Sequence, residues 1–308
     1  DVVMIRKEVN AYIMALYIFQ FGLLQPLASL TGSQGVIVVF TLILLITMLA
    51  NNRFRIKRYV YHVFILATVY CLSSILANSS YAMLLLPSYV EFLLKGLSGF
   101  LFGSLDVDSS LLYRVLSKVS IINAAILAFR PLGFMSNMNY MRFGYAMVPS
   151  ALMAWYNVFY SDKSRLLKLM FALFVTALTV VYGSRGALVV LVLFFSILIG
   201  ANVVVPKRVK AGLMVAAVGS VYLFWEQRVL SNFLDFIYYS LNIRSYALAK
   251  FRMMLGQGFV AASSGREVIY NILLESFRNR PIFGNGIFHS LIAIGTTPHN
   301  IVIQILII

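Results

Sequence analysis

The residue whose chemistry stands out is an arginine in a short turn between two apolar segments. Arg185 lies in the turn 183–186, which reads Gly-Ser-Arg-Gly, and apolar runs at 166–182 and 187–205 flank it. A guanidinium next to apolar segments of this length is costly unless an anion neutralises its charge. The turn therefore predicts a site for an anionic group.

A second arginine begins a predicted amphipathic helix. Ser264 and Glu267 have the spacing of a capping box, and Pro281 ends the helix. The apolar positions expected on one face are Ile269, Ile272, Leu273 and Phe277. Arg266 in the first turn opposes the helix dipole, which favours anions there. A phosphate or diphosphate bound at the helix start would reconcile the two, because free N–H groups and a guanidinium would both contact it.

A histidine near the end of the chain is the candidate general base. Thr297 and Pro298 predict a helix start, as the N-cap and the first helical residue, so His299 falls in the first turn of a membrane-spanning helix. The helix dipole there favours neutral imidazole, which is able to accept a proton. A structural histidine at the membrane boundary is the alternative that the residues leave open. His289 is a weaker candidate, and His62 is expected to be structural.

The sequence predicts no metal site and no organic cofactor. Asp106 and Asp108 have the spacing of a metal-binding pair in nucleotide-sugar transferases, but they directly precede an apolar segment, where a helix cap is the favoured interpretation. The sequence contains neither a Cys-x-x-Cys nor a His-Glu-x-x-His motif. The chemistry is therefore expected to depend on arginines and histidine.

These residues are set in a chain of apolar helices. Of the 308 residues 61% are hydrophobic, and the mean hydropathy is +0.89. The apolar runs have the length of about 20 residues that an α-helix needs to span a bilayer. The predicted spans are 9–31, 35–50, 59–77, 82–104, 111–129, 140–160, 166–182, 187–205 and 211–225, and a tenth begins at Ile301. Within the fourth span, Glu91 and Lys95 are expected to pair along the helix, and a cavity-lining role is the alternative.

The predicted fold is all-α, a polytopic transmembrane helical bundle of about ten or more spans that forms a single transmembrane domain over 1–308. A β-barrel is disfavoured because the apolar runs are continuous and do not alternate. The tenth run stops at Ile308, so we expect the native chain to continue with a further C-terminal part. The long segment 226–298 is expected to be a large, partly helical periplasmic loop.

Basic residues predict the orientation of the bundle. Lysines and arginines concentrate in alternate loops, which identifies those loops as cytoplasmic. These loops hold 14 of the 25 basic residues. The net charge of +15 is therefore attributed to topology and to contact with anionic lipids, and no nucleic-acid partner is expected.

Eleven basic residues lie outside those loops. All of them except Lys95, which is within a span, fall on the extracytoplasmic side of the predicted topology. There they predict a basic basin at the outer membrane surface, with scattered solvated arginines as the alternative. The eleven are Lys95, Arg130, Arg142, Arg185, Arg228, Arg244, Lys250, Arg252, Arg266, Arg278 and Arg280.

Five short segments of the chain resemble motifs of the O-antigen polymerase and O-antigen ligase superfamily, which are C-type membrane glycosyltransferases. Their order and their common side of the membrane match those of that superfamily over about the second half of the chain. The segments are 139–145 (Asn-Tyr-Met-Arg-Phe-Gly-Tyr), 183–187 (Gly-Ser-Arg-Gly-Ala), 264–266 (Ser-Gly-Arg), 280–286 (Arg-Pro-Ile-Phe-Gly-Asn-Gly) and His299 with Asn300.

The resemblance implies a metal-independent glycosyltransferase of the bacterial inner (cytoplasmic) membrane, with its active site facing the periplasm. Its donor would be a glycan on undecaprenyl pyrophosphate. By the resemblance, Arg185 and Arg266 would bind the diphosphate, and His299 would act as general base on the acceptor hydroxyl. Candidates for further contacts to phosphate or glycan are Arg142, Arg278, Arg280, Arg130 and Asn300.

The acceptor distinguishes the functions that the resemblance allows. A polymerase of O-antigen or capsular type would transfer the glycan to another lipid-linked repeat unit, and this is the preferred expectation. A ligase would transfer it to lipid A core in lipopolysaccharide biosynthesis. A lipid-linked glycan flippase is disfavoured because it would need charges through the membrane interior. Membrane lipids are expected partners, and a protein that regulates chain length is a further candidate.

Overall fold

The computed structural model describes residues 2–33, 35–130, 138–160, 164–200, 211–212, 215, 227–261, 266–280, 285–286 and 288–295. This part of the chain is all-helical and contains no strand. The α-helices are α1 Val2–Leu23, α2 Gln25–Thr31, α3 Gly35–Asn51, α4 Arg58–Ala77, α5 Ala82–Glu91, α6 Ser98–Gly103, α7 Ser109–Ala128, α8 Tyr140–Tyr160, α9 Arg165–Tyr182, α10 Arg185–Gly200, α11 Gln227–Asp235, α12 Tyr246–Ala261, α13 Arg266–Asn279 and α14 His289–Ile294. A 3-10 turn covers Ser79–Tyr81, and π-helical segments cover Phe92–Leu97 and Phe236–Ser240.

The chain forms two compact units. Unit 1 consists of Asp1–Asn51 and Val107–Gly258, and unit 2 consists of Asn52–Asp106 and Phe259–Ile308. Each unit is thus assembled from segments that are far apart in the sequence.

Helix α8 is the centre of unit 1, where it packs against α7, α9 and α10. Its buried face includes Phe143, Met147 and Ala151, which share one apolar core with residues of α7, α9 and α10. Polar side chains also cross this interface. Nδ2 of Asn123 donates to the carbonyl oxygen of Ala146 at 3.0 Å, and a buried polar side chain in such a bundle needs a partner of this kind.

Helix α1 joins the same unit through α3 and α7. Nδ2 of Asn51 donates to Oδ1 of Asn10 at 2.9 Å, and Oγ1 of Thr41 donates to Oε1 of Gln20 at 2.8 Å. These two hydrogen bonds hold α3 to α1 near both ends of the pair.

The described residues of unit 2 form two small apolar clusters. One contains buried Cys71 and Tyr89, and residues of α14 pack against it. The other surrounds Leu273 of α13, which is fully buried. The predicted helix after residue 265 is confirmed as α13; of its predicted apolar positions, Leu273 is fully buried and Ile272 is 41% exposed.

Three described helices are long and apolar enough to cross a membrane: Arg58–Leu76, Ser109–Ala128 and Arg165–Tyr182. A fourth is counted if α1 and α2, which meet at a bend of 46°, act as one broken span. Gly35–Asn51 and Gly186–Ile197 are shorter apolar helices. The predicted spans at 211–225 and after Ile301 lie almost wholly outside the described residues, and so do the side chains of Glu91 and Lys95.

The prediction that Asp108 caps a helix is confirmed. Its Oδ1 accepts hydrogen bonds from the backbone N–H of Leu111 at 2.9 Å and from Oγ of Ser110 at 2.7 Å. These bonds lower the pKa of the Asp108 carboxyl. Asp106 instead forms an ion pair with Lys57, with 2.9 Å between Oδ1 and Nζ, and its hydrogen bond raises the pKa of that lysine.

Gly22 of α1 provides a test of the packing between α1 and α7. A Cβ on Gly22 would lie 1.8 Å from Oδ1 of Asn123. Asn123 is held in place by its donor bonds to Ala146 and Ser150, so it has little freedom to move away. We expect Gly22→Ala to lower the free energy of unfolding by about 1–3 kcal/mol, seen as a lower thermal midpoint of the protein in detergent.

The matched control is Gly256→Ala in α12. A Cβ at Gly256 meets no described atom within 4 Å, and alanine has the higher helix propensity. Its thermal midpoint should equal or exceed that of the native chain. If the thermal midpoint fell equally in the two variants, close contact between α1 and α7 would be contradicted.

Candidate functional site

The turn that carries Arg185 is short and mostly buried. Helix α9 ends at Tyr182 and α10 begins at Arg185, so only Gly183 and Ser184 separate them. Ser184 is 6% exposed, and its Oγ accepts the backbone N–H of Ala187 at 3.4 Å. Ser184 therefore caps the start of α10 and fixes where Arg185 stands in the helix.

Three glycines allow α8 to approach this turn. A Cβ on Gly144 of α8 would lie 2.7 Å from the backbone nitrogen of Ser184. One on Gly183 would lie 3.2 Å from Cα of Gly144, and one on Gly186 would lie 2.4 Å from the hydroxyl of Tyr145. Because side chains are absent at these positions, the turn packs directly against the backbone and Tyr145 of α8.

Arg130 holds the end of α9 next to the turn. Its Nη1 donates to the carbonyl oxygen of Tyr182 at 2.9 Å, and its Nη2 donates to that of Met138 at 3.0 Å. The guanidinium also lies over the rings of Phe143 and Tyr182, 4.7 and 5.8 Å from their centroids. Burial lowers the pKa of Arg130. At Tyr182 the arginine satisfies a carbonyl group that the end of α9 would otherwise leave unpaired.

The start of α12 is tied to the same end of unit 1. The hydroxyl of Ser245 donates to the carbonyl oxygen of Val181 and accepts the backbone N–H of Leu248 at 3.1 Å. The ring of Tyr246 packs on that of Tyr140, with 4.8 Å between their centroids. Ser245 thereby connects α12 to α9, and Tyr246 connects it to the start of α8.

Three helices of unit 1 therefore begin close to the Arg185 turn. Asn139 precedes α8 and accepts the N–H of Arg142 with its Oδ1 at 2.8 Å; Ser184 precedes α10, and Ser245 precedes α12. Arginines accompany all three starts: Arg142, Arg185 and Arg244. Helix starts offer free N–H groups and a positive dipole end, so this end of unit 1 is suited to bind a phosphate-type anion.

Unit 2 contains other predicted site residues. Arg266 is the first residue of α13, and Arg278 and Arg280 are exposed at and beyond the end of that helix. His289 begins α14, and its buried Nδ1 has no hydrogen-bond partner among the described residues. Burial, and secondarily the charge of Arg280, lower the pKa of His289, which keeps its imidazole neutral near pH 7.

Several predicted roles concern atoms outside the described structure. His299 and Asn300 lie beyond the described residues, and for Arg185 and Arg266 the structure describes the position at a helix start. Their assigned roles stay predictions. Arg130 was expected to contact phosphate or glycan; the structure shows its guanidinium bonded to two backbone carbonyls.

Sequence reasoning did not identify Ser245 and Tyr145 as parts of this site. Ser245 has a local signal, because a serine directly before an apolar helix is an N-cap candidate. Its bond to Val181 has no such signal, since the two residues are 64 positions apart. Tyr145 belongs to the segment 139–145, but only the packing places its hydroxyl against Gly186.

Comparison with protein-family models, with curated proteins and with solved structures finds no match for this chain. The support for a function therefore comes from the residues and the geometry described above.

The role of Arg130 can be tested by thermal unfolding. Arg130→Met removes both donor bonds and leaves the carbonyls of Tyr182 and Met138 unpaired, so we expect the free energy of unfolding to fall by about 1–3 kcal/mol. Arg114→Met at the other end of α7 is the control, because Arg114 is exposed. Comparable thermal midpoints for the two variants would show that Arg130 does not hold the turn.

A second test compares two glycines of the turn. A Cβ at Gly183 would meet a backbone carbonyl, whereas the nearest atom to one at Gly186 would be the hydroxyl of Tyr145, a side chain that is 57% exposed and able to move. We expect Gly183→Ala to lower the free energy of unfolding by about 1–3 kcal/mol and Gly186→Ala by less. Both are measured as thermal midpoints in detergent.

The double variant Gly186→Ala with Tyr145→Phe isolates the cause. Removal of the hydroxyl leaves Cζ of residue 145 as the nearest atom, at 3.3 Å. The second change should restore the thermal midpoint that the first one lowers. A thermal midpoint lower in the double variant than in Gly186→Ala would show that the hydroxyl of Tyr145 is not the cause of the destabilisation.

Proposed function

We propose that this chain is a bacterial polysaccharide polymerase that elongates O-antigen or capsular glycans. It transfers glycan from undecaprenyl pyrophosphate to the acceptor hydroxyl of another lipid-linked repeat unit. The observation that carries the proposal is the turn of Arg185. Three helices begin near it at one end of unit 1, and Arg142 and Arg244 lie at the starts of two of them. A diphosphate leaving group is an anion that such a site would stabilise.

The proposed chemistry is displacement of the diphosphate by the acceptor hydroxyl. Arg185 and Arg266 bind the diphosphate and offset the negative charge that develops as it departs. His299 takes the proton of the attacking hydroxyl as general base. Arg130 contributes by holding the end of α9, next to the turn. Further contacts to phosphate or glycan are assigned to Arg142, Arg278, Arg280 and Asn300. The mechanism uses no metal.

The proposal includes a topology. About ten or more helices span the bacterial inner membrane, and the basic loops predicted as cytoplasmic lie on its inner side. The segment 226–298 and the turn of Arg185 lie on the periplasmic side. The apolar helices of the described chain support a membrane location, because three of them have the length and composition of a span.

The ligase shares this donor chemistry and differs in its acceptor, which is lipid A core. A flippase would bind the same diphosphate without breaking its bond to the glycan. The proposed polymerase has the lipid-linked donor, the lipid-linked acceptor and the surrounding lipids as partners. A protein that regulates chain length would act on the length of the product.

Product analysis by size tests the proposal. Purified protein is incubated with a repeat unit on undecaprenyl pyrophosphate, with a chelator and no other acceptor, and the glycans are resolved. We expect a ladder that Arg185→Lys and Arg266→Lys reduce by about 100-fold, because lysine keeps the charge but loses the bidentate geometry. His299→Ala should abolish the ladder, and Arg114→Lys should leave it unchanged.

Other outcomes identify the alternatives. A conjugate that forms only after lipid A core is added would replace the polymerase with the ligase. Movement of the lipid across vesicles without any product would indicate transport. Unchanged ladders in both lysine variants would reject the diphosphate role of Arg185 and Arg266.

A further inference from the structure

We propose that Arg244 is a further diphosphate-binding residue of the site at the Arg185 turn, an inference that rests on the proposed function and names another residue of the same site. Its position follows from the residue that succeeds it. Ser245 is 7% exposed and donates its hydroxyl to the carbonyl of Val181, only two residues before Gly183. The backbone at 244 is therefore held beside the turn.

A second contact fixes the same segment from the other side. Tyr246 packs its ring on Tyr140, the first residue of α8, at 4.8 Å between centroids. Arg142 lies two residues further along α8 and is exposed. These two contacts bring Arg244 and Arg142 to the end of unit 1 that contains the turn of Arg185.

Arg244 and Arg252, which lie before and within α12, differ in their contacts. Arg252 is bonded to Asp235, and its guanidinium lies 4.7 and 4.6 Å from the ring centroids of Tyr238 and Tyr239. The hydrogen bond to Asp235 raises the pKa of Arg252. Arg244 is exposed, and neither it nor Arg142 forms a side-chain hydrogen bond or ion pair with a residue that the structure describes.

Guanidinium groups that are brought near one another repel, and an anion that they share offsets this repulsion. A diphosphate presents two phosphate groups with more acceptor atoms than one arginine can bind. Arginine suits this ligand because its planar fork binds two phosphate oxygens at once. A phospholipid headgroup offers the same chemistry with a single phosphate, and the experiment has to separate the two sources.

Binding measurements with the lipid carrier test the role of Arg244. The full chain is placed in nanodiscs of zwitterionic lipid and titrated with undecaprenyl pyrophosphate. Arg244→Ala should weaken binding by about 10- to 100-fold, since a charge-assisted hydrogen bond is lost, and Arg244→Lys should recover part of the affinity. Arg114→Ala removes an exposed charge near the start of α7, whereas Arg130 and the turn lie beyond the end of that helix. This variant should bind the lipid as the native chain does. Thermal midpoints are recorded for each variant to verify folding.

The outcomes separate this inference from the proposed function. If Arg185→Lys weakens binding and Arg244→Ala does not, the role of Arg244 is wrong and the diphosphate site survives. If the native chain does not bind undecaprenyl pyrophosphate, both the role of Arg244 and the proposed function are wrong. If Arg244→Ala leaves the binding of undecaprenyl pyrophosphate unchanged and lowers only the amount of phosphatidylglycerol that the purified protein retains, Arg244 contacts headgroups and the inference is overturned.

Discussion

The candidate site depends on direct backbone contact between α8 and the turn at the end of α9. Gly144 and Gly183 permit it, because a Cβ on the second would lie 3.2 Å from Cα of the first. This contact keeps Ser184 buried, and Ser184 caps the helix that begins with Arg185. A helix that ends against a packed neighbour has to pair its last carbonyls, which is the role that Arg130 fills for Tyr182. The position of the proposed anion ligand thus follows from packing and from hydrogen-bond pairing together.

The same requirement organises the helices that lead to the site. Apolar side chains provide little specificity for pairing helices in lipid, so close contacts and buried hydrogen bonds define the pairs. Asn123 connects α7 to α8 through Ala146 and Ser150, and Gly22 lets α1 approach Asn123. Both helices lead to the site: Arg130 follows the end of α7, and Arg142 lies in the first turn of α8.

Local signals made much of the fold predictable. The apolar run 166–182 and the observed α9, Arg165–Tyr182, agree within one residue, and the cap by Asp108 uses a bond to a residue three positions away. Contacts between distant segments were not predictable, because apolar periodicity does not state which helices meet. Arg130 and Tyr182 are 52 positions apart, so the sequence predicted an arginine near the membrane surface but not its carbonyl partner. Helical spacing predicted the apolar positions of α13 but not how far each would be buried: Leu273 is fully buried, whereas Ile272 is 41% exposed.

Arginines on the predicted outer side fall into two groups, and the difference argues for where a ligand would bind. Arg130 and Arg252 each donate two hydrogen bonds to protein groups, and each guanidinium lies over aromatic rings. Such residues are preorganised parts of the fold, and using them as ligands would break bonds that already exist. Arg142 and Arg244 are exposed, so binding an anion would cost them only side-chain freedom and solvent contacts. The bonds of Arg130 and Ser245 to the end of α9 hold the neighbouring backbone in place. One set of arginines therefore holds the turn, and a different set is left to bind the anion. The site can then stay intact while ligands enter and leave.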